Sequence, residues 1–431
     1  MGARIAIIGA GFAGIGAGTE IVSRGGTAVV FEQNATYGGL CGGFTVGGFH
    51  FDQAVHLSFT THPLCQKYFF AIPHLSHAPE AVNYKEGAWV RHPVMSNLRG
   101  LPAEERVKII EGVLACTGVH NHIESYRDWL RMQFGEYFSK NYPERYTEKY
   151  WGTSAEKLGI TWCSGRIYQP DIHEILLGSY PDADVMPNVY YAKKMRYPKS
   201  GGYRAFIEPL AKRLDIRYGY KVARIDIEAK RLYFTNGESF LYDRLISTMP
   251  LSEIALLVTS DVTVHEAAQK LQATSMALVS VGFRKKIPFP ALWFYVYDKD
   301  IPFARVHSPS WKSSENAPRG KCSLQFEVYY SKERPLLLDD RALKERVLFC
   351  MEEMGLAQRQ DVEVVDCRRV KYANVIFYQG MGKYRDFVRG AVRKAGIITC
   401  GRFGRWEYLW SDQSFLSGIE AGKCAAAKEI E

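Results

Sequence analysis

Long apolar runs are missing from this 431-residue chain, and no stretch approaches the roughly 20 consecutive apolar residues of a membrane-crossing helix. No membrane association is therefore expected. Cysteine is sparse and unpatterned: nine residues, an odd number, without a single C-x-x-C pair. That argues against a disulfide-stapled framework and against a structural zinc site, so reduced thiols and no metal are expected. Internal repeats and low-complexity segments are also lacking. Charge of one sign is not concentrated either. The net charge of +9 favours anionic partners, but the longest basic cluster, AKKMR at 192–196, stands beside no RNA- or DNA-binding motif. Nucleic acid is thus not expected as a partner, whereas a small phosphate-bearing ligand is. The opening ARIAIIGAGFAG has neither the basic leader nor the cleavage site of a signal peptide, so a cytoplasmic location is expected. What remains is an ordinary globular composition, 47% hydrophobic and 23% charged, in a chain long enough for about two or three domain-sized units.

The N-terminus carries the clearest motif. RIAIIG at 4–9 reads as a buried parallel strand, rich in β-branched residues and without clean alternation. GAGFAG follows (Gly9, Gly11, Gly14), then a small-residue helix, then a second strand, TAVVFE, ending at Glu32. The first glycine suits a tight turn, the second a close approach of backbone to a pyrophosphate, and the third the packing of helix on strand. The helix N-terminus offers unpaired N–H groups to phosphates, and Glu32 can accept the ribose hydroxyls. Strand, glycines, helix and acid in register predict a dinucleotide site.

Beyond Glu32 the chain does not continue into further strand–helix repeats. Gly38, Gly39 and Leu40 lead instead into a hairpin-like segment and then F-D-x-x-x-H, ending at His56. From about 100 to 180 the sequence is helical and polar-aromatic, with a helix start after Pro102. A second diglycine lies in RYPKSGGYRAFIEPLAKRL (196–214), followed by short strands with a hairpin turn at Asn236-Gly237. Strand-like runs dominate from 275 to about 380, with one helix near 341–355, and GIITCG (396–401) reads as a strand that rejoins the first sheet. The expected organisation is a discontinuous nucleotide domain (1–95, 196–255 and 385–431), a helical capping domain (96–195) and a β-rich domain (256–384).

The order of these motifs resembles the flavoproteins that include amine oxidases, protoporphyrinogen oxidase and UDP-galactopyranose mutases. It is most similar to the eukaryotic-type mutases. Four anchors carry the likeness: the segment ending at His56; KYWGTSAEKLGITWCSGR, with Trp151 and Arg166; WFYVYDKDIPFAR, with Tyr295 and Arg305; and CGRFGRWEYLWSDQSF, with Arg402 and Tyr408. The resemblance implies an α/β fold, a Rossmann-like FAD-binding domain with a helical insert and a β-sheet substrate domain. FAD would be held by Gly9, Gly11, Gly14, Glu32, Gly38, Gly39 and Leu40 near the N-terminus, by Val222, and by Gly401, Asp412, Gln413 and Ser414 near the C-terminus.

The implied activity is a non-redox pyranose–furanose interconversion of a nucleoside-diphosphate sugar, of the kind that makes galactofuranose. In it N5 of reduced FAD is the nucleophile at the anomeric carbon. NAD(P)H or another reductant would activate the flavin, and homo-oligomerisation is left open. His56 would face the flavin, while Arg166, Arg305, Arg402, Tyr295 and Tyr408 would serve the diphosphate and sugar. His92, Met95, Tyr142, Trp151 and Asn188 would line the substrate's base and sugar. Departures from the family pattern cluster there: HPVMSN replaces a Tyr-Pro motif, KYANVIFYQ around Asn374 replaces another, and Val55 replaces a glycine before the loop histidine. Asp412 beside a diphosphate would be repulsive unless it faces the ribityl chain or Arg402. The nucleotide or sugar thus need not be UDP-galactose. The competing expectations are a redox enzyme of the same fold, amine oxidase- or desaturase-like, and a flavin-binding protein without catalysis.

Overall fold

The computed structural model describes residues 3–116, 123–163, 165–181 and 192–427. A parallel five-stranded sheet forms the base, in the order Ile397–Thr399, Arg244–Ser247, Ile5–Ile8, Ala28–Glu32, Asp215–Tyr218. Ile5 to Ile8 are all buried, as a central parallel strand covered on both faces requires. GIITCG joins this sheet as its edge, beside Arg244–Ser247. Two helices, Phe12–Ser23 and Ser411–Ala426, lie against each other with almost no space between their backbones. A Cβ on Gly418 would fall 1.9 Å from the Ala13 carbonyl oxygen, and one on Gly16 would fall 2.4 Å from that of Phe415. The two ends of the chain are thereby locked together by glycine.

A small antiparallel sheet, Val222–Asp226, Arg231–Phe234 and Ser239–Leu241, carries the anticipated turn, with Gly237 at φ +86°. The third layer is a seven-stranded sheet ordered Val362–Val375, Ala273–Phe283, Cys322–Tyr330, Arg305–His307, Trp293–Val296, Ala81–Lys85, Ala88–Arg91. The last two strands come from the segment before residue 95. Residues 81–84 pair in parallel with Trp293–Val296, so this hairpin extends the β-rich layer instead of the nucleotide sheet. Helix Asp340–Glu353 covers one face of that sheet through Leu343, Val347, Leu348 and Met351.

The helical part begins with Ala103–Cys116, directly after Pro102. A capping box between Ser125 and Asp128 starts the helix Tyr126–Phe134. A buried network ties this part to the seven-stranded sheet: Glu105 accepts Lys85 Nζ at 3.1 Å and the Tyr142 hydroxyl at 2.9 Å. Among the described residues no helix is long and apolar enough to cross a membrane.

Candidate active site

The three layers enclose a cavity of about 1000 Å³. Its nucleotide-sheet wall includes Gly9, Gly11, Glu32, Gly38, Gly39, Leu40 and Val222; Val55, His56, Gly401, Asp412 and Ser414 also line it. Tyr295, Arg305, Tyr329 and Asn374 reach it from the seven-stranded sheet, with Tyr150, Arg402 and Tyr408 alongside.

The glycines are dictated by close backbone approach. A Cβ on Gly9, which has φ +97°, would fall 2.1 Å from Thr248 Oγ1, and one on Gly39 would fall 3.2 Å from Gly11 Cα. Gly38 N–H donates to the Ala10 carbonyl at 2.9 Å, so the two glycine loops form one backbone-lined cradle at the start of helix Phe12–Ser23. Such a cradle fits a pyrophosphate. Glu32 closes it: Oε2 accepts Ala10 N–H at 2.8 Å and Oε1 accepts Asn34 N–H at 2.9 Å. Asp412 lies in the first turn of helix Ser411–Ala426, and its Oδ1 accepts Gln413 N–H at 2.9 Å. A carboxylate is stabilised at that positive end of a helix.

A family model for flavin-containing amine oxidoreductases matches residues 12–424. The chain belongs to that family. Its fold is also that of a reduced UDP-galactopyranose mutase, at TM-score 0.92 and 24% identity, covering 99% of this chain and 94% of the other. A protein from Exiguobacterium sp., provisionally assigned as a protoporphyrinogen oxidase, superposes at TM-score 0.77 and 17% identity over 99% of both chains. A fatty acid isomerase from P. acnes that produces CLA does so at TM-score 0.64 and 15% identity over 97% of both. At these identities the likeness is one of fold, and the fold is shared by enzymes of different chemistry.

In this flavoprotein His56 Nδ1 lies 3.0 Å from the Ala54 carbonyl, which can only accept, so the proton is on Nδ1 and Nε2 carries a lone pair. Burial pushes the His56 pKa down to about 4, against the pull of Asp52, so the imidazole is neutral near pH 7. Arg305 is held by Glu327, whose Oε2 accepts Nε at 2.6 Å, and by the Tyr329 hydroxyl at 3.1 Å from Nη2. Burial opposes its charge, but Glu327 and the neighbouring tyrosines hold its pKa well above the usual value. Arg402 donates from Nη2 to Asn374 Oδ1 at 2.7 Å and from Nη1 to the Leu409 carbonyl at 3.2 Å. It makes no ion pair among the described residues, so it brings an uncompensated positive charge to the cavity wall.

Several expected site residues sit elsewhere. Gly14 is off the wall, but a Cβ there would fall 1.8 Å from the Gly9 carbonyl oxygen, so it serves the cradle through packing. Gln413 is also off the wall; its Oε1 accepts Trp410 N–H at 2.9 Å and closes the helix start. Arg166 stacks between the rings of Tyr408 and Trp410, 4.3 Å from each centroid, and donates to the Tyr408 carbonyl, which places it behind the wall. Met95 and Tyr142 are in the core, 3% and 1% exposed, and the Tyr142 hydroxyl is committed to Glu105, so neither is placed to meet a nucleobase. Trp151 is buried too, with its ring 5.7 Å behind that of Tyr408. His92 lies 5.0 Å from the Tyr295 ring, with Nδ1 3.2 Å from Asn83 Oδ1, and supports Tyr295 without reaching the cavity lining. Asn188 lies outside the described residues.

Glu327, Tyr329 and Tyr150 escaped the sequence reading. A signal existed for the first two: CSLQFEVYY places Gln325, Glu327 and Tyr329 at alternate positions of an otherwise apolar strand, so one face of it is polar and buried.

Proposed function

We propose that this protein is a nucleoside-diphosphate-sugar mutase that interconverts pyranose and furanose forms with FAD in its reduced state. The observation that carries the reading is the convergence of Arg305, Arg402 and the hydroxyl-bearing Tyr150, Tyr295, Tyr329 and Tyr408 on one cavity whose other wall is the glycine cradle. The cradle, Glu32 and the start of helix Ser411–Ala426 would hold FAD. When bound, reduced FAD supplies a nucleophilic nitrogen toward the anomeric carbon.

The chain's own residues supply the rest. Departure of a diphosphate builds negative charge, and fixed guanidiniums aimed at it lower the barrier most when little water competes. Arg402, which no carboxylate among the described residues neutralises, is the principal cation, and Arg305 with its Glu327 partner is the second. The tyrosine hydroxyls donate to phosphate oxygens while their rings exclude water. Neutral His56, with its lone pair on Nε2, accepts a hydrogen bond on the flavin side. The altered residues around Asn374, which lines the cavity, favour a base or sugar other than those of UDP-galactose. A reductant such as NAD(P)H would keep the flavin reduced.

A redox role in the same fold is the second reading, favoured by the family membership itself. An oxidase needs an apolar or aromatic-cage pocket, whereas this cavity is lined by Arg305, Arg368, Arg369 and Arg402. The deciding experiment is anaerobic incubation of the reduced enzyme with a panel of nucleoside-diphosphate hexoses, read by HPLC. Ring-size exchange without oxygen uptake is expected. Aerobic turnover with an oxidised product and no exchange would sink the mutase reading.

A further inference from the structure

Away from the cavity, helix Met381–Lys394 carries five cations and a single acid in 14 residues. Its inner face is ordinary: Met381, Val388 and Val392 are buried, and the helix packs against helices Leu251–Val258 and Val262–Gln269. The outer face exposes Lys383, Asp386, Phe387, Arg393 and Lys394. None of the helix's residues lines the cavity, so this face serves neither the flavin cradle nor the arginine wall.

Spacings of four and seven residues put Lys383, Phe387 and Lys394 on one line along the helix. Phe387, in the middle, is 50% exposed. Between it and Lys394 comes Gly390, where an added Cβ would meet nothing within 4 Å, so packing does not demand a glycine there. Glycine inside a helix is destabilising relative to alanine, and here it leaves a low step beside the Phe387 ring. Two of the five cations have acid partners: Arg385 pairs with Asp386 at 2.9 Å and Arg389 with Glu407 at 3.1 Å. Lys383, Arg393 and Lys394 make no ion pair among the described residues.

An exposed ring set among unpaired cations matches an anionic bilayer. The ring enters the headgroup region, the lysine stems lie along it, and the ammonium groups reach the phosphates. A protein partner is a poorer match, because a stable interface needs roughly 800 Å² on each side with a packed apolar centre. This face offers one ring and three long flexible side chains. A nucleic-acid backbone would use the cations and leave the ring without a role.

We propose that the outer face of helix Met381–Lys394 docks the protein on anionic phospholipid membranes, with Phe387 inserted at the interface and Lys383, Arg393 and Lys394 on the headgroups. Attachment of this kind needs no spanning helix, so the lack of a long apolar run does not oppose it. It is also independent of which reaction the cavity performs.

The test is co-sedimentation of FAD-loaded protein with vesicles of phosphatidylcholine, with and without about one third phosphatidylglycerol. Binding is expected only with the anionic lipid, and it should weaken as salt rises from about 0.1 M to about 1 M and the Debye length shrinks from about 10 to about 3 Å. Each cation near such a surface is worth about fivefold, so Lys383→Gln with Lys394→Gln should weaken binding about 25-fold. Phe387→Ser should weaken it about tenfold by itself, and it is read alone should the double variant lose FAD. Phe387→Trp should shift its emission to the blue on the vesicles. Lys212→Gln with Lys332→Gln, at exposed lysines elsewhere, should bind as wild type. Equal binding to neutral vesicles, no binding to anionic ones, or an equal loss in the Lys212/Lys332 pair overturns the proposal. Binding of duplex DNA through the same two lysines, with the vesicles ignored, would give the face to nucleic acid instead.

Discussion

Asn374 Oδ1 accepts Arg402 Nη2 at 2.7 Å, and the same oxygen accepts the Tyr150 hydroxyl at 3.2 Å. Asn374 thus orients both a cation and a phenol at the cavity wall. Asn374→Ala should release Arg402 from this alignment and weaken binding of the substrate diphosphate roughly tenfold, the cost of about one good charge-assisted hydrogen bond. Titration of UDP by isothermal calorimetry checks it. Asn374→Asp should be worse for binding, because a carboxylate would neutralise Arg402, which pairs with no carboxylate among the described residues. Unchanged affinity in both variants would remove Asn374 from the site.

The two arginines are expected to differ in what their loss does. Arg402→Ala should lower kcat by about 10²–10³, the usual result of deleting one donor to a developing oxyanion, with the flavin spectrum retained. Arg305→Ala also strands the buried Glu327 carboxylate, so it should lose stability as well as rate, by about 3–5 kcal/mol. Single-turnover kinetics and thermal melts of the two variants separate these effects. A stable Arg305→Ala protein with full activity would contradict the role given to the pair.

Stability should fall on acidification in a window set by His56. An imidazole titrates near 6.5 in the unfolded chain and near 4 in the fold, so between those values the unfolded state binds more protons. Stability is complete above about 6.5 and drops by up to roughly 1.4 kcal/mol per pH unit for this group as pH falls toward 4. His92, whose pKa burial pushes down to about 3, adds a slope of the same sign. Thermal melts from pH 7 to 4 should show a shallower decline in His56→Gln than in wild type. Equal slopes would mean that His56 is not held neutral by the fold.

The parts of the site that could be read in the sequence are those built from contiguous chain. Gly9, Gly11, Gly14 and Glu32 act through one strand–turn–helix unit, so spacing alone specifies their neighbours. Arg402, Tyr408 and Asp412 sit on one short segment for the same reason. Glu327 was not legible because its partner Val55 is 272 positions away and meets it only through sheet register. For Arg166 a motif match gives the residue but not the two rings that enclose it. Tyr142 looked like an aromatic free to stack, and only the folded chain brings Glu105 to its hydroxyl.

The Lys312–Asp52 pair under the flavin-side loop offers a sharper stability test than any cavity residue. Both side chains are completely buried and 2.6 Å apart, and Asp52 also accepts the Tyr197 hydroxyl at 2.7 Å and Tyr203 N–H at 2.9 Å. Removing one partner of such a pair leaves an uncompensated buried charge, which typically costs about 3–5 kcal/mol. Replacing both can be close to neutral, because the desolvation cost of the pair disappears with its attraction. Lys312→Met should therefore lower the melting temperature strongly, and Asp52→Asn added to it should recover much of the loss, since the amide still offers an acceptor to Tyr203 N–H. Denaturant melts of the single and double variants give the coupling energy directly. If the double variant is as unstable as the sum of the singles, the two residues act independently and the loop is not held by their charge.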